Sequence, residues 1–230
     1  MEQAFSERIL FEDNHLLLVN KLASELVQGD KTGDECLLDQ ARAYLRWKYN
    51  KPGEAFVGLV HRIDRPVSGV LLLAKTSKAL SRLNMQLKNH DWQKVYLAVV
   101  KNAPPKTADS LTHFLAKNEK QNKSYVVKTA TKNAKEARLS YKLREKSDQY
   151  FLLEVILHTG RHHQIRAQLA AIGCPIKGDL KYGFNRSNPD GSISLHAWKL
   201  TFIHPISKEE ITITAPTPPE QVWQFFSGTA

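Results

Sequence analysis

The sequence predicts an α+β fold built on a mainly antiparallel central sheet with flanking helices, and three observations carry that expectation. Short runs rich in β-branched and aromatic residues recur along the whole 230-residue chain. The first two of them flank a polar turn at Asp13-Asn14, the pattern of a hairpin. Helical periodicity is confined to a few short segments, so strands dominate and the helices are left to cover them.

Taken in order, residues 9–11 and 16–19 form the opening hairpin. Residues 37–49 are expected to be helical, because Leu38, Ala41, Leu45 and Tyr49 line one face. Pro52-Gly53 then ends that helix. Residues 57–60 read as a short strand and 70–74 as a buried one. Ser77 has the chemistry of an N-cap for a helix whose apolar side is Leu80, Leu83, Met85 and Leu87. Strands follow at 95–100, 125–129, 137–143 and 151–157. Residues 101–135, rich in Lys, Asn and Thr, read as a mobile basic excursion on a sheet edge, where lysine also discourages edge pairing. A helix over 163–172 has Gly173 as its C′ residue. A loop over 178–191, strands over 193–203 and 210–214, and a closing helix over 218–226 complete the chain.

A chain of this length buries a real core, as one large domain over 1–230 or as two packed lobes. Thirty-three Lys and Arg against 23 Asp and Glu give a formal charge of +10, which suits a polyanionic partner without requiring one. Cys36 and Cys174 lie far apart with no C-x-x-C spacing, so no zinc site is expected. Two isolated thiols fit a reducing, cytoplasmic setting. Residues 1–8 are polar and lack the apolar core of a signal peptide. The longest apolar run, 69–74, falls far short of the ~20 residues that span a bilayer, so no membrane association is expected.

Three segments carry chemistry. In His61-Arg62-Ile63-Asp64-Arg65-Pro66-Val67-Ser68-Gly69 a carboxylate sits between two arginines, on a loop between apolar strands. Neighbouring guanidinium groups favour an ionised carboxylate, which a nucleophile requires, although such neighbours also occur as ordinary surface ion pairs. In the strand Lys94-Val95-Tyr96-Leu97-Ala98, alternation puts Lys94, Tyr96 and Ala98 on one face, where Tyr96 is able to stack on a flat base or to be an ordinary half-buried tyrosine. In Thr159-Gly160-Arg161-His162-His163-Gln164-Ile165-Arg166 a turn leads into a helix whose first residues are polar and basic, as suits phosphate. Adjacent histidines do not share a helix face, so His162 and His163 are not expected to chelate a metal.

Together these segments resemble the RluA-type family of RNA pseudouridine synthases. The family pattern His-Arg-Leu-Asp-Arg-x-Thr-Ser-Gly is met with Ile63 for Leu and Val67 for Thr. Lys94-x-Tyr96 supplies the second match, and Gly160, Arg161 and His163 to Arg166 the third, with His162 in place of Thr. Val19-Asn20-Lys21 precedes these matches, and Gly178-Asp179 with Tyr182-Gly183, Leu195-His196-Ala197 and His204-Pro205 follow them, in the right order. The sequence departs where the family has Lys-Pro-x-Gly, with Leu22 and Ser24 at the second and fourth positions, and where a His is usual at Gln168. The S4 RNA-binding module that many relatives carry at the N-terminus is not expected here.

The resemblance implies a cofactor-free isomerase acting on uridine in structured RNA, rRNA or a tRNA stem-loop, through a basic catalytic cleft, and a monomer. The catalytic aspartate falls on Asp64, the active-site tyrosine on Tyr96, and the basic partner of the aspartate on Arg166. Ile165 falls on an apolar position lining the base pocket. Arg62, Arg65, Lys94, Arg161, His163 and Gln164 fall among positions that contact RNA. Asp64 attacks the sugar or the base, or assists a glycal route, and the sequence leaves that choice open. RNA binding that weakens steeply with salt is expected. A glycosidase is the main rival and needs a second catalytic carboxylate, which no motif marks out; an RNA-binding protein that has kept the fold but lost activity would lack an intact Asp64, Tyr96 and Arg166.

Overall fold

Two apolar runs, residues 16–19 and 70–74, are hydrophobic at every position rather than at alternate ones, which requires a sheet covered on both faces. The computed structural model describes residues 2–29, 33–129, 131 and 133–227. It divides into two compact units, Met1–Trp92 with Ala197–Thr217 and Gln93–His196 with Pro218–Ala230.

In the first unit, a short helix α1 (Glu2–Ser6) precedes β1 (Ile9–Glu12) and β2 (Leu16–Lys21), the expected hairpin. Asp13 fixes its turn: its Oδ1 accepts from the backbone N–H groups of His15 and Leu16, both at 2.7 Å. Then come α2 (Leu37–Lys48), the two-residue β3 (Gly58–Leu59), β4 (Ser68–Ala74) and α3 (Ser77–Asn89). Much later in the chain, β10 (Leu195–Ile203) and β11 (Glu210–Thr214) return to the same sheet. Its order is β1-β2-β4-β10, with β3 on β4 and β11 on β10. Leu16, Leu18, Val70 and Leu72 face α3 and pack with Ala79, Leu83, Trp92 and Phe202. The alternate residues Leu17, Val19, Leu71 and Leu73 point to the other side of the sheet and are equally buried. The β2–β4 register sets Leu16 opposite Ala74 and Lys21 opposite Gly69, so β2 ends beside the loop that leads into β4. Gly69 is required there: at φ 117, an added Cβ would lie 2.2 Å from the backbone oxygen of Ala197.

The second unit is an antiparallel sheet of β5 (Gln93–Val100), β6 (Ala108–Asn118), β7 (Lys123–Val127), β8 (Ala134–Lys146) and β9 (Phe151–Leu157), in the order β5-β9-β8-β6-β7. Helix α4 (Gln164–Ala171) covers its β6–β7 end, where Ala167 and Tyr182 pack on Leu115 and Ala137. A 3-10 turn at Leu180–Tyr182 and the closing α5 (Gln221–Ser227) complete the unit.

The structure corrects four local expectations. Thr76, not Ser77, is the N-cap of α3, its hydroxyl accepting from Ala79 N–H at 3.2 Å; either hydroxyl has the chemistry, and the helix begins one residue earlier than a cap at Ser77 would allow. Met85 is exposed, because it lies 200° around the helix from Leu83 at ~100° per residue. Helix α1 was not anticipated, since five residues are too few to show periodicity. Residues 101–135, of which 130 and 132 lie outside the described residues, are mostly strand. Only β7 is at the sheet edge, while β6 lies inside, between β7 and β8.

Candidate active site

The 61–69 loop of the first unit is shaped by its own apolar residues: Ile63 and Val67 are buried, Arg62 and Arg65 are exposed, and Asp64 is intermediate. Val67 N–H donates to the Asp64 carbonyl at 3.0 Å and closes a turn directly after the aspartate. His61 Nε2 accepts from Leu72 N–H at 3.0 Å, and its ring meets Trp92 edge-on at 5.3 Å.

The anchor of this loop is Lys21. It is 0% exposed, and its ammonium donates to the carbonyls of Leu22 at 2.8 Å, Arg65 at 3.0 Å and Val67 at 2.7 Å. One buried cation thus satisfies three backbone oxygens, two of them on the turn that carries Asp64. Burial pulls the ammonium down to about 8, against the opposing pull of Glu25 and Asp64. Arg65 is held outward: its Nε donates to Ser24 O at 3.0 Å and its Nη2 meets Asp34 at 3.1 Å.

The departures at Leu22 and Ser24 have visible consequences. Leu22 N–H, which a proline would lack, donates to Glu25 Oε2 at 2.9 Å, and Glu25 is clamped by Arg8 at 2.8 Å. Ser24 sits at φ 70, in the left-handed region that the family's glycine adopts without cost.

In the second unit, Tyr96 lies on β5 opposite Val155, partly buried as alternation predicts. Lys94 is also partly buried, and that burial brings its ammonium down to about 8. The start of α4 is built by Gln164. Its Oε1 accepts from Thr159 Oγ1 at 2.8 Å and Arg161 N–H at 2.9 Å, while its Nε2 donates to Arg138 O at 3.0 Å. Arg161 Nε donates to Glu136 O at 2.9 Å.

His163 caps the helix at φ 51 and is buried, its Nδ1 3.0 Å from the Tyr182 hydroxyl. Burial, reinforced by the charges of Arg166 and His162, depresses His163 to about 2. His163 is therefore a neutral ring held by its hydrogen bond with Tyr182. Gln164 and Ile165 are buried as well. His162, in place of the family's Thr, stacks on His163 at 3.8 Å and reaches Ser124 Oγ at 2.9 Å and Asn122 Oδ1 at 3.0 Å, tying the β6–β7 turn to α4. Gln168 in turn donates to Leu111 O and Ala137 O on the sheet beneath.

Arg166 is buried and gripped at both ends by Asp179: Nε to Oδ2 at 2.7 Å and Nη2 to Oδ1 at 2.9 Å. The paired guanidinium lies 5.1 Å from the Tyr182 ring centre. Planar, bidentate geometry of this kind fixes the orientation of an arginine as well as its charge. Sequence reasoning noted Asp179 and Lys21 within matching segments but gave them no role. Their partners lie 13 and 44–46 residues away, and no periodicity marks them. Among the described residues, no group of three His, Cys, Asp or Glu is placed to hold a metal ion, and no helix is long and apolar enough to cross a membrane.

Asp64 on its anchored loop, Tyr96 on β5 and the clamped Arg166 are the residues on which the resemblance to the RNA-modifying isomerases places the chemistry. The family model for RNA pseudouridylate synthase matches residues 15–171, and the chain belongs to that family, whose members isomerise uridine in RNA. It is 34% identical over 216 residues to the ribosomal large subunit pseudouridine synthase C of Buchnera aphidicola subsp. Acyrthosiphon pisum, covering 91% of this chain and 67% of that protein. It is 34% identical over 221 residues to the protein of the same name from Escherichia coli K12, covering 93% of this chain and 67% of that one. Among solved structures, human RNA pseudouridylate synthase domain containing 4 superposes with a TM-score of 0.81 at 22% identity, covering 98% of this chain and 94% of that one. This second likeness concerns the fold.

Proposed function

We propose that this isomerase acts on large-subunit ribosomal RNA, with Asp64 as its catalytic carboxylate, Tyr96 as the ring that packs on the target uridine and Arg166 as the basic partner of the aspartate. The observation that carries the reading is the anchoring of the Asp64 turn by a wholly buried Lys21 ammonium. A turn fixed at two successive anchor points holds its carboxylate in one place, as a reaction at a single sugar carbon requires. The reaction breaks the bond from ribose C1′ to uracil N1, turns the base and joins C1′ to C5. The proton lost at C5 balances the one gained at N1, so no oxidant or energy donor enters.

Asp64 attacks the nucleotide or assists departure of the base. Tyr96 packs on the uracil ring and assists removal of the C5 proton. Its phenol, ordinarily near ~10, is a poor base at neutral pH without help. Arg166 supplies a fixed positive charge, and Asp179 is a positioning residue that acts through it. Ile165 belongs to the wall of the base pocket. Arg62, Arg65, Lys94 and Arg161 contribute to RNA binding, while His163 and Gln164 shape the helix start beneath it. Flipping the target base from its stack costs roughly a few kcal/mol, which these phosphate contacts offset. The enzyme works as a monomer in the cytoplasm.

The names of the relatives support ribosomal RNA over tRNA as the substrate. Mapping pseudouridine across cellular RNA with and without the gene tests this. Loss of one or a few sites in large-subunit ribosomal RNA is expected. Loss confined to tRNA stem-loops would contradict the substrate assignment.

A further inference from the structure

We propose that the C-terminal end of α2 is a second RNA-docking surface, where Trp47 and Tyr49, ringed by Arg46, Lys48 and Lys51, stack an unpaired stretch of the substrate RNA away from Asp64. The proposal rests on the reading of RNA as substrate and extends it to a surface the chemistry does not use.

Trp47 is 58% exposed and Tyr49 45%, and Phe56, just beyond the helix, is 47% exposed. Tryptophan is buried to a large degree in most folds, so its display beside a second exposed aromatic calls for a partner. The inward face of α2 is complete without them, formed by Leu37, Leu38, Ala41, Tyr44 and Leu45.

The platform is rigid because a buried carboxylate underlies it. Glu12 accepts from the Tyr44 hydroxyl at 2.9 Å, the Tyr49 hydroxyl at 2.7 Å, and the Lys48 and Lys75 ammoniums at 2.7 Å each. Trp47 leans on Tyr44 with ring centres 6.2 Å apart. Lys75, Lys48 and Lys51 lie 4.7, 5.6 and 5.9 Å from the centre of the Tyr49 ring. Glu12 is turned inward and is shared by Lys48 and the buried Lys75, while Lys48 and Lys51 keep their ammonium groups beside the Tyr49 ring. Aromatic rings interleaved with ammonium groups suit bases stacked between phosphates, and suit an apolar protein helix poorly.

The location fits a second contact. Lys75 and Glu12 lie at the far end of β4 from the Asp64 loop, a separation of roughly 20–25 Å along seven strand residues. An RNA strand flanking the modified stem-loop is long enough to reach both.

The test compares two RNAs: a bare uridine-containing stem-loop, and the same stem-loop with a single-stranded oligouridylate flank. Trp47→Ala and the double variant Trp47→Ala/Lys51→Ala change exposed side chains, so folding is preserved; Met85→Ala, also exposed, is the control. Affinity of the full-length protein for the flanked RNA is expected to fall roughly 5- to 100-fold in the variants, with a salt slope about one unit smaller for the double variant. Affinity and turnover on the bare stem-loop stay unchanged. Equal affinity of wild type and variants for the flanked RNA overturns the proposal. So does an equal loss on both RNAs, or a wild-type dimer that Trp47→Ala dissociates. If the protein binds the flank but makes no pseudouridine, the docking surface stands and the catalytic reading falls.

Discussion

Ser24 holds its backbone at φ 70, and a serine in that region carries roughly 1–2 kcal/mol of steric cost that a glycine does not. Ser24→Gly should therefore raise stability by up to about 1 kcal/mol, since the greater freedom of glycine in the unfolded chain takes back part of the gain. Urea denaturation checks this, and pseudouridine formation should be unaffected. Asp179 is the opposite case. Its carboxylate is the two-point partner of a buried guanidinium, so Asp179→Asn removes a negative charge from beside a buried positive one and breaks the two-point grip. A loss of about 3–5 kcal/mol is expected. Asp179→Glu should keep the charge, regain most of the stability and still run slowly, because the longer side chain moves Arg166; measuring kcat and melting temperature side by side separates the two effects.

At the scale of elements, the turn carrying Asp64 depends on a strand that precedes it by more than 40 residues. Lys21→Met removes three charge-assisted hydrogen bonds and leaves the carbonyls of Leu22, Arg65 and Val67 without that donor. At ~1–3 kcal/mol for each buried group left unsatisfied, and with the ammonium's own burial cost relieved, a net loss of about 2–4 kcal/mol is expected. The fall in turnover should exceed what the unfolded fraction explains; refolded protein with full activity at low temperature would count against Lys21 as an anchor of the catalytic loop.

The network around Glu12 makes a pH prediction. Burial raises this carboxyl, but hydrogen bonds from Lys48, Lys75, Tyr49 and Tyr44 outweigh burial and hold it at about 2 against an ordinary 4.5. A carboxyl with a depressed folded pKa contributes stability that is fully present above 4.5 and lost as pH falls toward 2. Unfolding free energies measured in urea from pH 7 downward should show a steeper acid loss in wild type than in Glu12→Gln, which lacks that contribution at every pH. Parallel curves would mean that Glu12 has no perturbed titration.

For the whole molecule, the sequence made the strands legible wherever alternation or unbroken apolar runs were strong, as at 151–157, and four helices were placed within a few residues of their ends. β6 escaped because only Leu111 and Leu115 are buried among eleven mostly polar positions, so its period is faint. The motif residues were legible by type and spacing, whereas Lys21 and Asp179 were not. A buried ion in a fold acts on groups distant in sequence, and no local pattern encodes that pairing. The same limit hid the Glu12 network, whose five members come from three separate segments.

The account stands most directly on one carboxylate. Single-turnover formation of pseudouridine should be compared for wild-type protein and Asp64→Asn on the same RNA, with binding measured in parallel. Asp64→Asn keeps the shape of the side chain and removes its charge, so the account predicts RNA affinity within a few-fold of wild type and no detectable pseudouridine. Product formed by the variant at the wild-type rate would contradict it.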